Sequence, residues 1–252
     1  MLPRVRTIMV LSMVTMLLMV SSLAGCLSDD DDDNGNGNGK EDPVLANAGN
    51  DAFGEVGEAK TLNASASSGP IQRYTWTILG PNASSPDNIT KIGMEVDHTF
   101  NEAGVYTVTL LVEGKKEDNN STDTMKVFID LMETITGQLQ NIQAFNKTYE
   151  YMVWPEVQSI KLKLTYPTTA GSPIALPMNL DMDVWTDGQT PYATTSTQTP
   201  NPTADEQVEE LDLQVAGVIT NEGFRVTIRW GPGAAPVTVD FTLEVEIYYK
   251  AA

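Results

Sequence analysis

Three aspartates in the second half of the chain carry the clearest candidate chemistry. Asp181 and Asp183 are separated by one residue, and Asp187 precedes Gly188 in a turn signal. Side chains two apart on a β-strand point to the same face, so the first two carboxylates should lie side by side near a strand end. Carboxylate oxygens are ligands that Ca²⁺ prefers. Two interpretations fit the pattern: a solvated polar face that ends in an ordinary turn, or a calcium site.

A second, poorer calcium candidate is formed by Asn47, Asn50 and Asp51. One histidine and one cysteine are too few for an ordinary zinc site, and no phosphate-cradling loop occurs. We therefore expect no catalytic residues and no cofactor other than calcium. The 34 acidic residues supply many chance carboxylate pairs, which leaves an enzyme with an acidic active site, such as a glycosidase, open as a rival.

Cys26 is the only cysteine, and it ends the tetrapeptide Leu23-Ala24-Gly25-Cys26. A basic start and an apolar run of about 13 residues, Ile8 to Val20, precede it. That run is shorter than the roughly 20 residues that span a bilayer, so residues 1–25 read as a secretory signal peptide. The tetrapeptide resembles the lipobox of prokaryotic lipoproteins, which implies cleavage before Cys26 and a lipid on its thiol. We expect an extracytoplasmic protein, lipid-anchored to the membrane at the cell surface.

The chain is strongly acidic. Removal of residues 1–25 takes two arginines from the 15 basic residues, which leaves 13 against 34 acidic residues and a net charge of −21. Such a surface repels nucleic acid phosphates, so we expect no nucleic acid partner. In an exported chain, Asn-X-Ser/Thr sites are candidate glycan acceptors. There are six of them: Asn63, Asn82, Asn88, Asn119, Asn120 and Asn146.

Residues 26–42 hold a run of five aspartates followed by Asn-Gly repeats. Like charges repel and glycine-rich chain stays extended and mobile, so this composition predicts a tether that lifts the folded part away from the lipid. A run of aspartates without a loop to fix its geometry does not make a calcium site.

Short alternating segments with turn signals between them follow from residue 43 to 131, which is typical of a β-sandwich. Several of these segments resemble, in order, those of a PKD domain. That resemblance implies an immunoglobulin-like sandwich that acts as an extracellular spacer or interaction module. The segments are Ala46–Asp51, Thr61–Ser67, Tyr74–Trp76, His98–Phe100 and Gly104–Leu110.

The sequence departs from the PKD pattern after the tryptophan, where Thr77–Pro81 replaces the usual Asp-Phe-Gly-Asp-Gly. Any activity that depends on that loop is therefore in doubt. His98 lies within a segment of the family pattern, so we interpret it as structural rather than as a catalytic base. Trp76 is predicted to lie in the core between the sheets, as in immunoglobulin-like folds; the alternative is a surface residue that stacks on sugars.

Residues 133–250 show cleaner alternation, as in Ile160–Tyr166, Met178–Val184, Phe224–Trp230 and the long last strand Val237–Tyr249. Burial on one face is typical of antiparallel sheets that stack in pairs. The order of the segments resembles prepeptidase C-terminal and related jelly-roll modules, which accompany secreted hydrolases or surface proteins and are not catalytic. The Thr/Pro-rich run from Thr190 to Thr203 is predicted as a long loop or a loose crossing between sheets.

Together these patterns predict an all-β protein with two tandem β-sandwich domains, the first immunoglobulin-like and the second jelly-roll-like, behind a signal peptide and an acidic linker. We interpret the protein as a non-catalytic binding or scaffolding module with a surface glycan or protein as partner. Besides the glycosidase, an accessory subunit of a secreted hydrolase or transporter is an alternative.

Overall fold

The computed structural model describes residues 42–116, 118–140, 146–168, 178–186, 190–195, 205–214, 223–231 and 238–249. They belong to one compact unit, Glu41–Ala252, and no helix occurs within these ranges. The strands are β1 (Ala52–Glu55), β2 (Ala59–Asn63), β3 (Ile71–Leu79), β4 (Ile89–Ile92), β5 (Glu95–Thr99), β6 (Gly104–Gly114), β7 (Asn120–Gln140), β8 (Lys147–Met152), β9 (Ser159–Pro167), β10 (Leu180–Trp185), β11 (Ala193–Thr194), β12 (Glu206–Gln214), β13 (Gly223–Trp230) and β14 (Thr238–Tyr248).

The first sandwich packs the pair β2-β5 against a larger sheet. In that sheet the order is β4-β3-β6-β7, and β1 pairs in parallel with the first half of β7. Alternate residues of β3 and β6 point inward, which gives an immunoglobulin-like core. Trp76 is fully buried in it and donates from Nε1 to the Gly93 carbonyl oxygen at 3.1 Å, as the core prediction required.

The second sandwich has two four-stranded faces, β7-β14-β9-β12 and β8-β13-β10-β11. Numbered within this half, the orders are 1-8-3-6 and 2-7-4-5, which is the arrangement of an eight-stranded jelly roll. The predicted all-β, two-sandwich fold is therefore confirmed. The Thr/Pro-rich run from Thr190 contains one short strand, β11, beside β10. The more specific resemblance to prepeptidase C-terminal modules stays a prediction.

Strand β7 belongs to both sandwiches. Its first half pairs with β6 over Asn120–Ile129, and its second half pairs with β14 over Leu131–Gln140. The boundary predicted at 131–133 thus falls inside a continuous strand rather than in a linker. Phe128 and Leu131 also pack against the second core. Independent folding of 43–131 and 133–250 stays a prediction.

Candidate functional site

The outward face of the sheet β8-β13-β10-β11 carries Asp181 and Asp183, two of the three aspartates of the calcium candidate, among other polar residues. Strand register places them in rows that cross the sheet, because directly paired residues of neighbouring strands point to the same side. We call this surface the polar face. Its residues are Thr148 and Glu150 of β8, Asp181, Asp183 and Trp185 of β10, Thr194 of β11, and Arg225, Thr227 and Arg229 of β13.

Arg229 holds Asp181 and Asp183 together. Its Nε donates to Asp183 Oδ2 at 2.6 Å, and its Nη1 donates to Asp181 Oδ2 at 2.6 Å. The Thr194 hydroxyl donates to Asp183 Oδ1 at 2.5 Å. Both aspartates are only 3% exposed, whereas 30% of the Arg229 side chain is exposed. The guanidinium therefore covers the two carboxylates, and its single positive charge is shared between them.

Burial raises the pKa of Asp181, and repulsion from Asp183 adds to this, although Arg229 opposes it. The hydrogen bond to Asp183 raises the pKa of Arg229, so the guanidinium stays charged. Removal of the arginine would leave two buried carboxylates without a counter-charge, which is strongly unfavourable.

Asp181 and Asp183, the two described aspartates of the calcium candidate, lie on one face of β10, as expected, but they are buried rather than accessible. Both alternatives in the sequence analysis assumed accessible carboxylates; the structure buries them under Arg229. Asp187 lies outside the described residues, and no group of three or more metal-ligating side chains occurs in the described part of the chain. A cation at this position would have to displace the guanidinium. Calcium binding stays a prediction.

The poorer calcium candidate is also engaged in local structure. Asp51 Oδ1 accepts from the Lys126 amide at 2.8 Å, and Asn47 Oδ1 accepts from the Gly49 amide at 2.9 Å. Asn50 is exposed. Two of the three side chains therefore already accept hydrogen bonds from backbone amides.

Glu209 is a buried acid that sequence analysis missed. It points into the second sandwich from β12 and is 2% exposed. Gln207 Nε2 donates to its Oε1 at 3.1 Å, and the Tyr166 hydroxyl lies 3.4 Å from the same oxygen. Among the residues that the structure describes, Oε2 has no hydrogen-bond partner. Burial therefore raises the pKa of Glu209.

The first sandwich buries a different network around His98, whose side chain packs edge-on against Phe100. His98 Nε2 lies 3.4 Å from Asp87 Oδ1 but makes no hydrogen bond within the described ranges. Burial lowers the pKa of His98, so the ring is neutral at pH 7. The Tyr106 hydroxyl lies 2.9 Å from Asp87 and 2.8 Å from the Glu102 carbonyl oxygen. These contacts hold the segments around Asp87, Glu102 and Tyr106 together. His98 packs within this network, in agreement with a structural role.

The six glycosylation candidates differ in accessibility. Asn63, Asn120 and Asn146 are exposed. The other three, Asn82, Asn88 and Asn119, are half-buried, and their side chains bond to neighbouring groups: Asn88 Oδ1, for instance, accepts from the Gly80 amide at 2.6 Å. A glycan attaches at Nδ2, which donates a hydrogen bond in these three residues and also in Asn63, where Glu95 Oε2 accepts at 3.3 Å. Glycosylation itself stays a prediction.

Cys26, with the signal peptide and tether, lies outside the described residues. Within the described ranges, no helix is long and apolar enough to cross a membrane. Lipidation at Cys26 stays a prediction.

Comparison with known proteins supports the immunoglobulin-like fold of the first sandwich. Residues 40–129 match the PKD domain family. This match spans β1 through the first half of β7 and agrees with the immunoglobulin-like strand order. A search of the curated proteins found no match.

Among solved structures, carbohydrate-binding modules of the β-sandwich superfamily align over 83% of this chain and 92% of theirs, with 11% identity and a TM-score of 0.29. A cyclase from Fischerella sp. TAU aligns over 71% and 76%, with 10% identity and a TM-score of 0.31. A SusE-like protein aligns over 81% and 97%, with 11% identity and a TM-score of 0.21. At these scores the likenesses carry no argument about function.

Proposed function

We propose that this protein is a lipid-anchored, extracytoplasmic surface protein that acts as a non-catalytic binding or scaffolding module for glycan or protein partners. The observation that carries the proposal is the PKD domain match over residues 40–129, directly behind an acidic tether and a lipobox-like cysteine. Proteins built this way hold a domain at a distance from the membrane.

The second sandwich supports the same proposal. It shares strand β7 with the PKD-like sandwich and presents the polar face on its outer side. A domain held by a shared strand is displayed in a fixed direction, which suits a module that presents a surface to a partner.

The glycosidase alternative requires two carboxyl groups that reach a sugar. Asp181 and Asp183 are instead bound to Arg229, and Glu209 is buried inside the second sandwich. No observation in the described part of the chain favours that alternative or the accessory-subunit alternative over a binding module.

The test of anchoring is the change Cys26→Ser. The wild-type chain should fractionate with membranes, lack residues 1–25 and carry the added mass of a lipid. The variant should leave the membrane fraction or keep its signal peptide. Unchanged fractionation and mass would contradict lipid anchoring. Protease treatment of intact cells should release the folded part, and resistance to protease would contradict surface exposure.

The binding role is tested by cross-linking the protein in native membranes and identifying what co-purifies. A defined complex, or retention on the cell's own surface glycans, supports the proposal. A protein that cross-links to nothing and releases reducing sugars from polysaccharides would instead be an enzyme.

A further inference from the structure

One row of the polar face differs from the rest. Trp185 of β10 pairs with Arg225 of β13, and Arg225 pairs with Glu150 of β8. The three side chains therefore form a line across three strands on the outer side of the sheet, about 10 Å long at the usual strand spacing. Neighbouring rows are occupied by the Arg229 ion pairs and by a contact of 3.2 Å between the hydroxyls of Thr148 and Thr227.

This row borders a groove of about 360 Å³ at the end of the sheet. Trp185 is half-buried in its wall, Arg225 and Glu150 are exposed, and Met152 is 55% exposed. Neither Arg225 nor Glu150 takes part in an ion pair among the described residues. We call this surface the Trp185 groove; its lining residues are Glu150, Tyr151, Met152, Trp185, Thr186, Gly223, Phe224 and Arg225.

The packing of the second sandwich does not explain why a tryptophan occupies position 185. The buried core is on the other side of the sheet and is filled by Leu180, Met182 and Val184 of the same strand. A large aromatic residue on the outer side of a sheet, next to an exposed cation and an exposed anion, is a combination that binding sites use.

The residue types indicate the ligand. An indole ring stacks on the apolar C–H face of a sugar ring, while hydroxyl groups around that ring both donate and accept hydrogen bonds. Arg225 supplies donors and Glu150 supplies acceptors. Anionic polymers are disfavoured by the net charge of −21 that the chain carries without residues 1–25. The chemistry therefore fits a neutral saccharide.

We infer that the Trp185 groove is a binding site for neutral saccharides, with Trp185 as the stacking platform and Arg225 and Glu150 as the hydroxyl-binding pair. The inference rests on the proposed function, since it names the ligand class of a binding module. It also assigns a role to the neighbouring ion pairs: Arg229, held by two buried aspartates, stiffens β10 and β13 so that the three side chains keep their spacing.

The test measures retardation of the full-length protein in native gels that contain dextran, galactomannan or hydroxyethyl cellulose, with alginate as an anionic polymer. Calorimetric titration then gives the affinity for any polymer that retards it. We expect retardation by at least one neutral polymer and none by alginate. Trp185→Ala should weaken that binding by about tenfold or more, because a central aromatic residue commonly dominates an interface. Trp185→Phe should keep part of it.

The matched control is Tyr248→Ala, because Tyr248 is also half-buried on an outward sheet face of the same sandwich, but on the opposite sheet. It should bind like the wild type. Arg225→Ala should weaken binding without lowering the Tm, since the residue is exposed. Measuring the Tm of each variant separates lost binding from lost folding.

Two results would overturn the inference. If a neutral polymer binds but Trp185→Ala, still folded, binds it equally well, the site is wrong while the proposed binding function stands. If none of the three neutral polymers binds the wild type, the ligand class is wrong. The proposed function then depends on the cross-linking experiment alone.

Discussion

Asp87 in the first sandwich and Glu209 in the second are both almost completely buried, yet their pKa values move in opposite directions. Burial raises both. At Asp87 this is outweighed by the amide and side chain of Asn101, each 2.8 Å away, by the Tyr106 hydroxyl and by nearby His98. At Glu209 one oxygen is left without a partner among the described residues.

The comparison teaches that the number of donors, rather than depth, decides in which direction the pKa of a buried carboxyl group moves. Asp181 lies between the two cases, because Arg229 gives it a counter-charge but Asp183 stands beside it. The first sandwich therefore contains a satisfied anion. The second contains buried acids with fewer donors, of which Asp181 and Asp183 share a single arginine.

The largest effect is expected from Arg229→Ala. It leaves Asp181 and Asp183 buried without a counter-charge, and the free energy of unfolding should fall by about 3 kcal/mol. Urea titration of the variant measures this. Arg225→Ala, four residues away on the same strand and exposed, is the matched control and should change stability little. A loss no larger than that of the control would mean that the two carboxylates are solvated or protonated in the folded protein.

A smaller loss is expected from Asp87→Asn. The new amide group cannot accept all the bonds that Asn101 and Tyr106 donate to the carboxylate, and charge-assisted bonds of this kind are worth about 2 kcal/mol. Asp97→Asn, an exposed substitution on β5, is the control. Equal stability of the two variants in urea would show that Asp87 adds no more than a surface residue.

The pH dependence of stability should differ between the sandwiches. Since the folded-state pKa of Glu209 is raised, its protonated form favours folding, and stability falls as pH rises above about 4 through the folded pKa. Glu209→Gln should therefore raise the Tm more at pH 7 than at pH 4. Glu210→Gln makes the same change on the outward side of β12 and serves as the control. If Glu209→Gln raises the Tm equally at pH 4 and pH 7, the explanation is contradicted.

In the first sandwich the lowered pKa of His98 makes stability fall as pH decreases, whereas Glu209 makes it fall as pH increases. Unfolded chain takes up a proton below about pH 6.5 that the folded protein resists, so stability is lost as pH falls through that range. His98→Gln should flatten the decline in Tm between pH 7 and pH 5. If the decline in Tm between pH 7 and pH 5 is the same in the variant as in the wild type, another titrating group causes it.

The smallest effect is expected from calcium. Because Arg229 occupies the position between Asp181 and Asp183, Ca²⁺, Mg²⁺ and Na⁺ at matched ionic strength should raise the Tm equally, through screening of the net negative charge. A rise specific to Ca²⁺ that disappears in Asp183→Asn would instead support the predicted calcium site, with Asp187 as a further ligand.

Local pattern predicted much of the fold. Alternation placed Ile160, Leu162 and Leu164 in one core, and a family pattern placed Trp76 in the other. Both predictions depend on neighbours in sequence and on the two-residue period of a strand. At the boundary predicted at 131–133, residues 120–136 contain neither glycine nor proline, and one strand, β7, continues through them.

The candidate site was less predictable, because its contacts join distant segments. Arg229 is 48 residues from Asp181, and no local pattern pairs them. Glu209 could have been found, since it is in phase with Leu211 and Leu213, which point inward on β12. Trp185 was in phase with the aspartates, and only the register with Arg225 and Glu150 shows that the three side chains share a row.

The shared strand β7 has a mechanical consequence. Its 21 residues give a contour of about 70 Å that runs through both sheets, so no hinge separates them. A force that pulls on the second sandwich is transmitted along the backbone of β7. Because this force runs parallel to the strand, the hydrogen bonds from β7 to β6 and β14 are loaded in shear, and many of them must break at the same time before the strand can move. Tension applied between the two sandwiches is therefore carried along β7 itself rather than through a linker.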